Sequence, residues 1–243
     1  MKIALITDTH FGARNDNLAF NEYFYKFWEE IFFPYLDKHN IKTVIHLGDL
    51  MDRRKFVSYK IAKDLRERFI LPMVHRDITM HVMAGNHDTY YKNTNELNAL
   101  KECLGHYMNE IHIVMEPTVM QYGSLSMALL PWICADNYDQ SMNFIKDCKA
   151  DWLGAHLELA NFEIGRGILA PHGMDPKIFK KFEQVLSGHY HTASRKDNIW
   201  YLGNPMEFFW SDAHDPKFFH ILDTESRQIE KIRNTYTLFE KIV

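Results

Sequence analysis

The chain has 243 residues, 46% of them hydrophobic and 14% aromatic, with a formal charge of −4. Such a length and apolar content suit one sizeable folded core and exclude a disordered chain, while the slight acidity leaves only local basic patches or bound cations to attract nucleic acid. No apolar run is long enough to span a bilayer, the start "MKIALITDTHFG" turns polar too early for a secretion signal, and Cys103, Cys134 and Cys148 lack C-x-x-C spacing, so a reducing, cytoplasmic setting with no membrane is expected.

In chain order, runs of strand length occur at "IALIT" (3–7), "TVIHL" (43–47), "ITMHV" (78–82), "SLSMALLPWI" (124–133), "DWLGA" (151–155), "QVLSG" (184–188) and "FFHIL" (218–222). Between the first three lie "NLAFNEYFYKFWEEIFFPYLDKH" and "SYKIAKDLRERFILPMVH", whose apolar residues recur at helical spacing, so the N-terminal half reads as an α/β sheet. Strongly aromatic as it is, "FNEYFYKFWEEIFF" is a core-packing face at that spacing. Hairpin patterns in "NIWYLGNP" and "KFFHILDTESRQIEKIRN" predict a mixed or antiparallel second sheet, and Gly and Pro in "NFEIGRGILAPHGMDPK" (161–177) predict a long mobile loop. No repeat or linker interrupts the chain, so a single domain over residues 1–243 is expected.

Five of the strand-like runs end in side chains of one chemical kind. "LITDTH" delivers Asp8 and His10, "IHLGDLMDRR" delivers Asp49, Asp52 and Arg53, and "HVMAGNHD" delivers Asn86, His87 and Asp88. "WLGAHLE" then delivers His156, and "VLSGHYH" delivers His189 and His191. Because the carboxyl ends of parallel strands line the crevice of an open α/β sheet, these residues are predicted to meet in one site. Carboxylates, imidazoles and a carboxamide oxygen without cysteine are donors for borderline divalent metals. Seven such donors exceed the needs of one tetrahedral ion, so two divalent ions are expected, with Asp49 bridging. Asp8, His10, Asp49 and His191 are assigned to one ion, and Asp49, Asn86, His156 and His189 to the other. Two divalent ions against two ligand carboxylates leave a positive pocket suited to phosphate.

His87, next to a ligand, is positioned to give a proton to a leaving oxygen, with Asp52 orienting its imidazole and Arg53 holding a phosphate oxygen. Arg53, Arg54, Lys55 and Arg195 flank site-forming strand ends and are the expected contacts to DNA phosphates.

The blocks "DTH", "GDLMDRR", "GNHD", "AH" and "GHYH" resemble the pattern of the calcineurin-like metallophosphoesterase superfamily: D-x-H, G-D-x-x-D, G-N-H-D/E, G-H and G-H-x-H. The one departure is Ala155, where the family usually has Gly. That resemblance implies an α/β metallophosphoesterase fold of two packed mixed β-sheets flanked by helices. Within the superfamily, "LLPWICADN", "AHLELANFE" and "SGHYHTASRKDNIWYLGNPMEF" are most similar to SbcD-type DNA exonuclease subunits, including those of tailed phages. This similarity implies manganese-dependent phosphodiester cleavage, as exonuclease on duplex DNA and endonuclease on single strands. It also implies a partner, an SMC-like ATPase, and a homodimer formed near the third block, with "YYKNTNELNALKECL" as candidate interface. The capping and ATPase-docking regions of that family are expected to be absent from a chain that stops at Val243. Phosphomonoesterase or small-molecule phosphodiesterase activity is the alternative, since the metal motifs specify ester hydrolysis and say little of the substrate. A non-catalytic scaffold of the same fold is disfavoured by the intact His87, Asp52 and ligand positions.

Overall fold

A computed structural model describes residues 1–165 and 167–240. The predicted N-terminal alternation is present: β1 (Lys2–Ile6), β2 (Thr43–His46), β3 (Thr79–Met83) and β4 (Ile111–Val114) pair in parallel in that order. Helical segments α1 (18–38) and α2 (59–74) connect the first three strands, and α3 (Ala99–Leu104) precedes the fourth. The side chain of Asn17 accepts from the Ala19 and Phe20 N–H groups, and that of Ser58 accepts from Ile61, so each long helix begins on a capping residue.

Both long helices widen into a π-helical stretch in their second half, Phe27–Phe32 in α1 and Arg66–Ile70 in α2. Pro34 and Pro72 follow these stretches. A proline donates no N–H and its ring crowds the carbonyl four residues earlier, here Glu30 and Arg68, so the regular ladder cannot continue through either position.

A second sheet is built from β5 (Thr118–Tyr122), β6 (Leu125–Leu130), β7 (Trp152–His156), β10 (Gln184–Gly188), β11 (Ser194–Lys196) and β12 (Ile199–Tyr201). Its order is β11-β12-β10-β7-β6-β5; the four inner strands are parallel and the two outer ones antiparallel to their neighbours. The C-terminal hairpin β13 (Phe218–Asp223) and β14 (Gln228–Arg233) departs from expectation. It joins the first sheet, with β13 antiparallel to β1. Strand periodicity fixes that the hairpin forms but carries no information about which open edge it completes.

The segment 161–177, expected as a long loop, carries some regular structure. Within it, β8 (Glu163–Gly165) and β9 (Ile168–Leu169) pair as a small hairpin. Main-chain bonds from Asn161 to Ala170 and from Ala170 to Phe162 tie its ends, and Phe162, Ala170 and Phe179 are buried.

Three apolar clusters make four layers. Ile3, Leu5, Ile45 and Leu47 from the first sheet meet Met127, Leu129, Leu186 and Trp200 from the second. On the outer face of the first sheet, Phe24, Phe27, Trp28 and Phe32 of α1 and Phe69 of α2 cover Val44, Met80 and Val82. On the outer face of the second, α4 (Tyr138–Asp147) contributes Ile145, which packs with Leu153, Phe182 and Val185. The fold is thus two packed mixed sheets flanked by helices, and the carboxyl ends of their parallel strands share one rim.

Candidate metal centre and cleft

The metal-ligand candidates meet at that rim, in two groups joined by one carboxylate. His10 Nε2 lies 3.0 Å from His191 Nε2, 4.0 Å from Asp8 Oδ1 and 3.9 Å from Asp49 Oδ2. In the other group, Asn86 Oδ1 faces His156 Nε2 at 3.1 Å and His189 Nδ1 at 2.9 Å, while Asp49 Oδ2 is 3.4 Å from His156 Nε2. One oxygen of Asp49 therefore addresses both groups.

The local chain is strained to achieve this. Asp8, His10, Asp49 and His189 all have left-handed φ, from 44° to 87°. Such conformations cost roughly 1–3 kcal/mol each and persist where the surroundings over-determine them, a pattern that concentrates at functional sites. Two glycines permit the approach. Gly48 has φ 99°, and a Cβ there would meet His156 Nδ1 at 2.6 Å; at Gly85 it would meet Asp49 Oδ1 at 2.2 Å.

Surrounding groups commit the far side of His156 and Asp8. His156 donates from Nδ1 to the Leu47 carbonyl at 2.8 Å, which turns Nε2 inward as a lone pair. Asp8 accepts from the Thr7 hydroxyl at 2.6 Å and from the His189 N–H at 3.1 Å. His46, buried and neutral, shares a 2.9 Å bond with the Thr9 hydroxyl and accepts from the Gly48 N–H.

The donor set fits divalent cations. Nε2 of His156, the Asn86 carboxamide oxygen and the Asp49 carboxylate present electron pairs to one another, an arrangement that repels unless a proton or a cation sits among them. Without a cation a proton takes that place. Burial lowers the pKa of His156, but Asp49 outweighs it and pushes it up to about 9. Burial likewise raises Asp49, and the imidazoles of His156 and His10 outweigh it and hold its carboxyl far below the usual range. Burial keeps His189 neutral with a pKa of about 3, and His10 and His191 are also lowered, chiefly by burial. Neutral imidazoles are the ligand form.

His87 lies beside this centre, its N–H bound to Asp49 Oδ1 at 2.7 Å and its ring edge-on to His10 at 4.9 Å. Its Nδ1 donates to the main-chain carbonyl of Asp52 at 2.6 Å. The expected route of orientation therefore needs correcting: the carbonyl of Asp52, and not its carboxylate, holds the ring. The carboxylate stands 3.6 Å from His10 Nδ1, outside hydrogen-bond reach.

Asp88, whose purpose the sequence left open, is fully buried and accepts from the N–H groups of Gly85 (2.9 Å), Met51 (2.9 Å) and Leu50 (3.3 Å). It laces the loop carrying Asn86 and His87 to the loop carrying Asp49. Burial and the charge of Asp49 push it up to about 7 in the metal-free chain.

The basic candidates are not all at the site. Arg53 pairs with Asp16 and stacks on Phe56 at 4.2 Å. Arg54 is spent on Thr89 and the Tyr91 carbonyl, and Lys55 lies over Tyr90. Arg195 bonds Gln184, at the opposite end of β10 from His189, because the β11–β12 turn reverses the chain away from the rim. A cleft of about 600 Å³ opens instead between His10, Asp52, His87 and His191 on one side and Arg14, Asn15, Asn17, Phe20, Phe208 and Phe209 on the other. Arg14 and Asn15 sit on a left-handed turn that no local pattern announces. On the second ligand group, the Trp132 ring packs 5.3 Å from His189 and 5.8 Å from His156.

Comparison with known proteins identifies the family. The sequence profile of the calcineurin-like phosphoesterase family matches residues 1–221. Exonuclease subunit 1 of Enterobacteria phage T4 is 32% identical over 242 residues, covering 100% of this chain and 70% of that protein. A solved structure described as a novel archaeal phosphodiesterase aligns over 96% of this chain and 100% of its own, at 18% identity and a TM-score of 0.47.

Proposed function

From the premise that the chain belongs to the calcineurin-like phosphoesterase family and is a metal-dependent phosphoesterase, we propose that its substrate is DNA and that it works with two divalent ions, manganese by preference. The reading is an exonuclease on duplex ends and an endonuclease on single strands. The observation that carries it is the shared oxygen of Asp49, 3.9 Å from one ligand group and 3.4 Å from the other. When bound, the ions supply Lewis acidity, neutralising charge on the phosphodiester and easing deprotonation of a water.

The chain's own residues do the rest. His87, with Nδ1 fixed on the Asp52 carbonyl, turns Nε2 to the cleft and gives its proton to the departing oxygen as the phosphorus–oxygen bond breaks. The Asp52 carboxylate stands beside His10, Asp88 fixes the spacing of the Asp49 and Asn86 loops, and Trp132 shields the second ligand group from water. Similarity to a protein named as a subunit supports a partner, here an SMC-like ATPase. A homodimer through residues 90–104, beside the exposed Phe56 and Tyr59, belongs to the same proposal, as does a cytoplasmic setting, that of the host for a phage protein. Among the described residues no helix is long and apolar enough to cross a membrane.

The test is manganese-dependent digestion of end-labelled duplex and single-stranded DNA, beside bis-p-nitrophenyl phosphate and p-nitrophenyl phosphate. DNA cleavage is expected. Hydrolysis of the small esters with DNA untouched would overturn the nuclease reading.

A further inference from the structure

The wall of the cleft facing the ligands carries an aromatic side chain that the hydrolytic chemistry does not need. Phe209 is 49% exposed in an interior otherwise rich in buried aromatics. Its plane lies within 15° of the His191 imidazole, with ring centroids 6.4 Å apart. Its neighbour Phe208 is buried and packs edge-on against His10 at 5.3 Å, so the two adjacent residues divide the roles of support and display.

The display is built rather than incidental. A buried carboxylate, Asp212 Oδ2, accepts from the N–H groups of Phe208 at 2.8 Å and Phe209 at 2.9 Å. Lys217, itself buried, contacts Asp212 and donates to the carbonyl of His191 at 3.3 Å. The aromatic pair is thereby locked to the main chain of a ligand residue. On the same wall, the Arg14 guanidinium stacks over Phe20 at 5.2 Å. Its main chain is set by the left-handed turn through Arg14, Asn15 and Asp16, whose last residue pairs with Arg53. A flat apolar face, an exposed cation and candidate ligand imidazoles thus line one cavity.

Resting on the nuclease reading, we propose that Phe209 stacks the nucleobase adjoining the scissile phosphate, with Arg14 holding a neighbouring phosphate. The site then selects a strand whose base has left the duplex, because a base kept in the helix offers no free face to the ring. Phe209 is a specificity-determining residue for unpaired nucleotides.

The experiment uses the 243-residue protein and single-stranded oligonucleotides in which one linkage is a phosphodiester and the remaining linkages are phosphorothioates, which resist cleavage and keep the negative charge that Arg14 would hold. The nucleotide on either side of that bond is natural or abasic. Wild type should favour the natural over at least one abasic substrate, and Phe209→Leu should lose about 5- to 100-fold in kcat/KM on the natural substrate, mainly through KM, a range set by base–aromatic stacking. On the sensitive abasic substrate the two proteins should be equal, and Phe209→Trp should keep the natural rate. Unchanged cleavage of the natural substrate by Phe209→Leu overturns the proposal, and so does an equal loss on natural and abasic substrates, which would make the ring merely structural. Wild type that leaves natural DNA uncut while hydrolysing bis-p-nitrophenyl phosphate defeats the nuclease reading, and this inference with it.

Discussion

Nδ1 of His87 is bonded at 2.6 Å to the main-chain carbonyl of Asp52, while the carboxylate of the same residue stands against His10. One residue therefore orients His87 through its backbone and sets a carboxylate beside His10 through its side chain. Asp52→Asn leaves the carbonyl in place, so the variant should keep its dependence on His87 while binding metal about tenfold more weakly, the scale for losing an outer-shell partner. Titration calorimetry with manganese, beside a pH–rate profile, checks this. Unchanged affinity with a lost acidic limb in the profile would assign the carboxylate to His87 after all.

His87→Ala removes a proton donor and no proposed metal ligand. Its kcat on DNA should fall by about 100- to 10,000-fold with metal stoichiometry intact. The loss on bis-p-nitrophenyl phosphate should be much smaller, because nitrophenolate departs without a proton. Parallel steady-state kinetics on the two substrates read the difference; equal losses would remove the acid role.

Asp88→Ala strands three buried N–H donors, of Leu50, Met51 and Gly85. Unfolding in urea should show a loss of ~2–4 kcal/mol, the cost of leaving such groups without a partner. A change below ~0.5 kcal/mol, the range of ordinary surface substitutions, would mean that the lacing of the two loops is dispensable.

In the metal-stripped chain, His156 has a folded pKa of about 9, above the ordinary 6.5. A raised histidine pKa contributes stability that is whole below pH 6.5 and is lost as pH climbs through 9. His189, at about 3, and the other histidines that burial lowers, His10, His46, His81, His191 and His220, are neutral when folded but take up a proton on unfolding near pH 6.5, so they raise stability up to about pH 7.5 and add no slope above it. Stability of the EDTA-treated protein should therefore decline from about pH 7.5 to 9, and excess manganese should reverse the trend, because the metal competes with that proton. Thermal unfolding at each pH decides it; a flat profile without metal would contradict the proton-for-metal account.

The meeting of the candidate ligands at one rim was readable in the sequence because each follows closely on an apolar run, and a parallel strand can deliver such a residue to only one edge of its sheet. Asp8, Asn86 and His189 are of this kind. What the sequence hid depends on main-chain direction beyond the strand. The carbonyl of Asp52 has no side-chain signature, and Arg14 reaches the cleft through consecutive left-handed residues. Arg195, though near "GHYH" in sequence, is carried away by a reversal of the chain. Asp88 was visible as a polar residue, but two bonds that its carboxylate accepts from main-chain N–H groups of a loop 37 and 38 residues distant cannot be seen before the fold exists. The short strand "IHIV" of β4, half exposed along its length, was likewise too weakly patterned to announce itself.

The most direct test of the central claim is electron paramagnetic resonance of the protein loaded with two equivalents of manganese, read beside Asp49→Ala. The account predicts a spin-coupled signal from neighbouring ions in the wild type, replaced in the variant by the hyperfine pattern of isolated ions or by loss of binding. Isolated-ion signals from fully loaded wild type would contradict a centre bridged by Asp49.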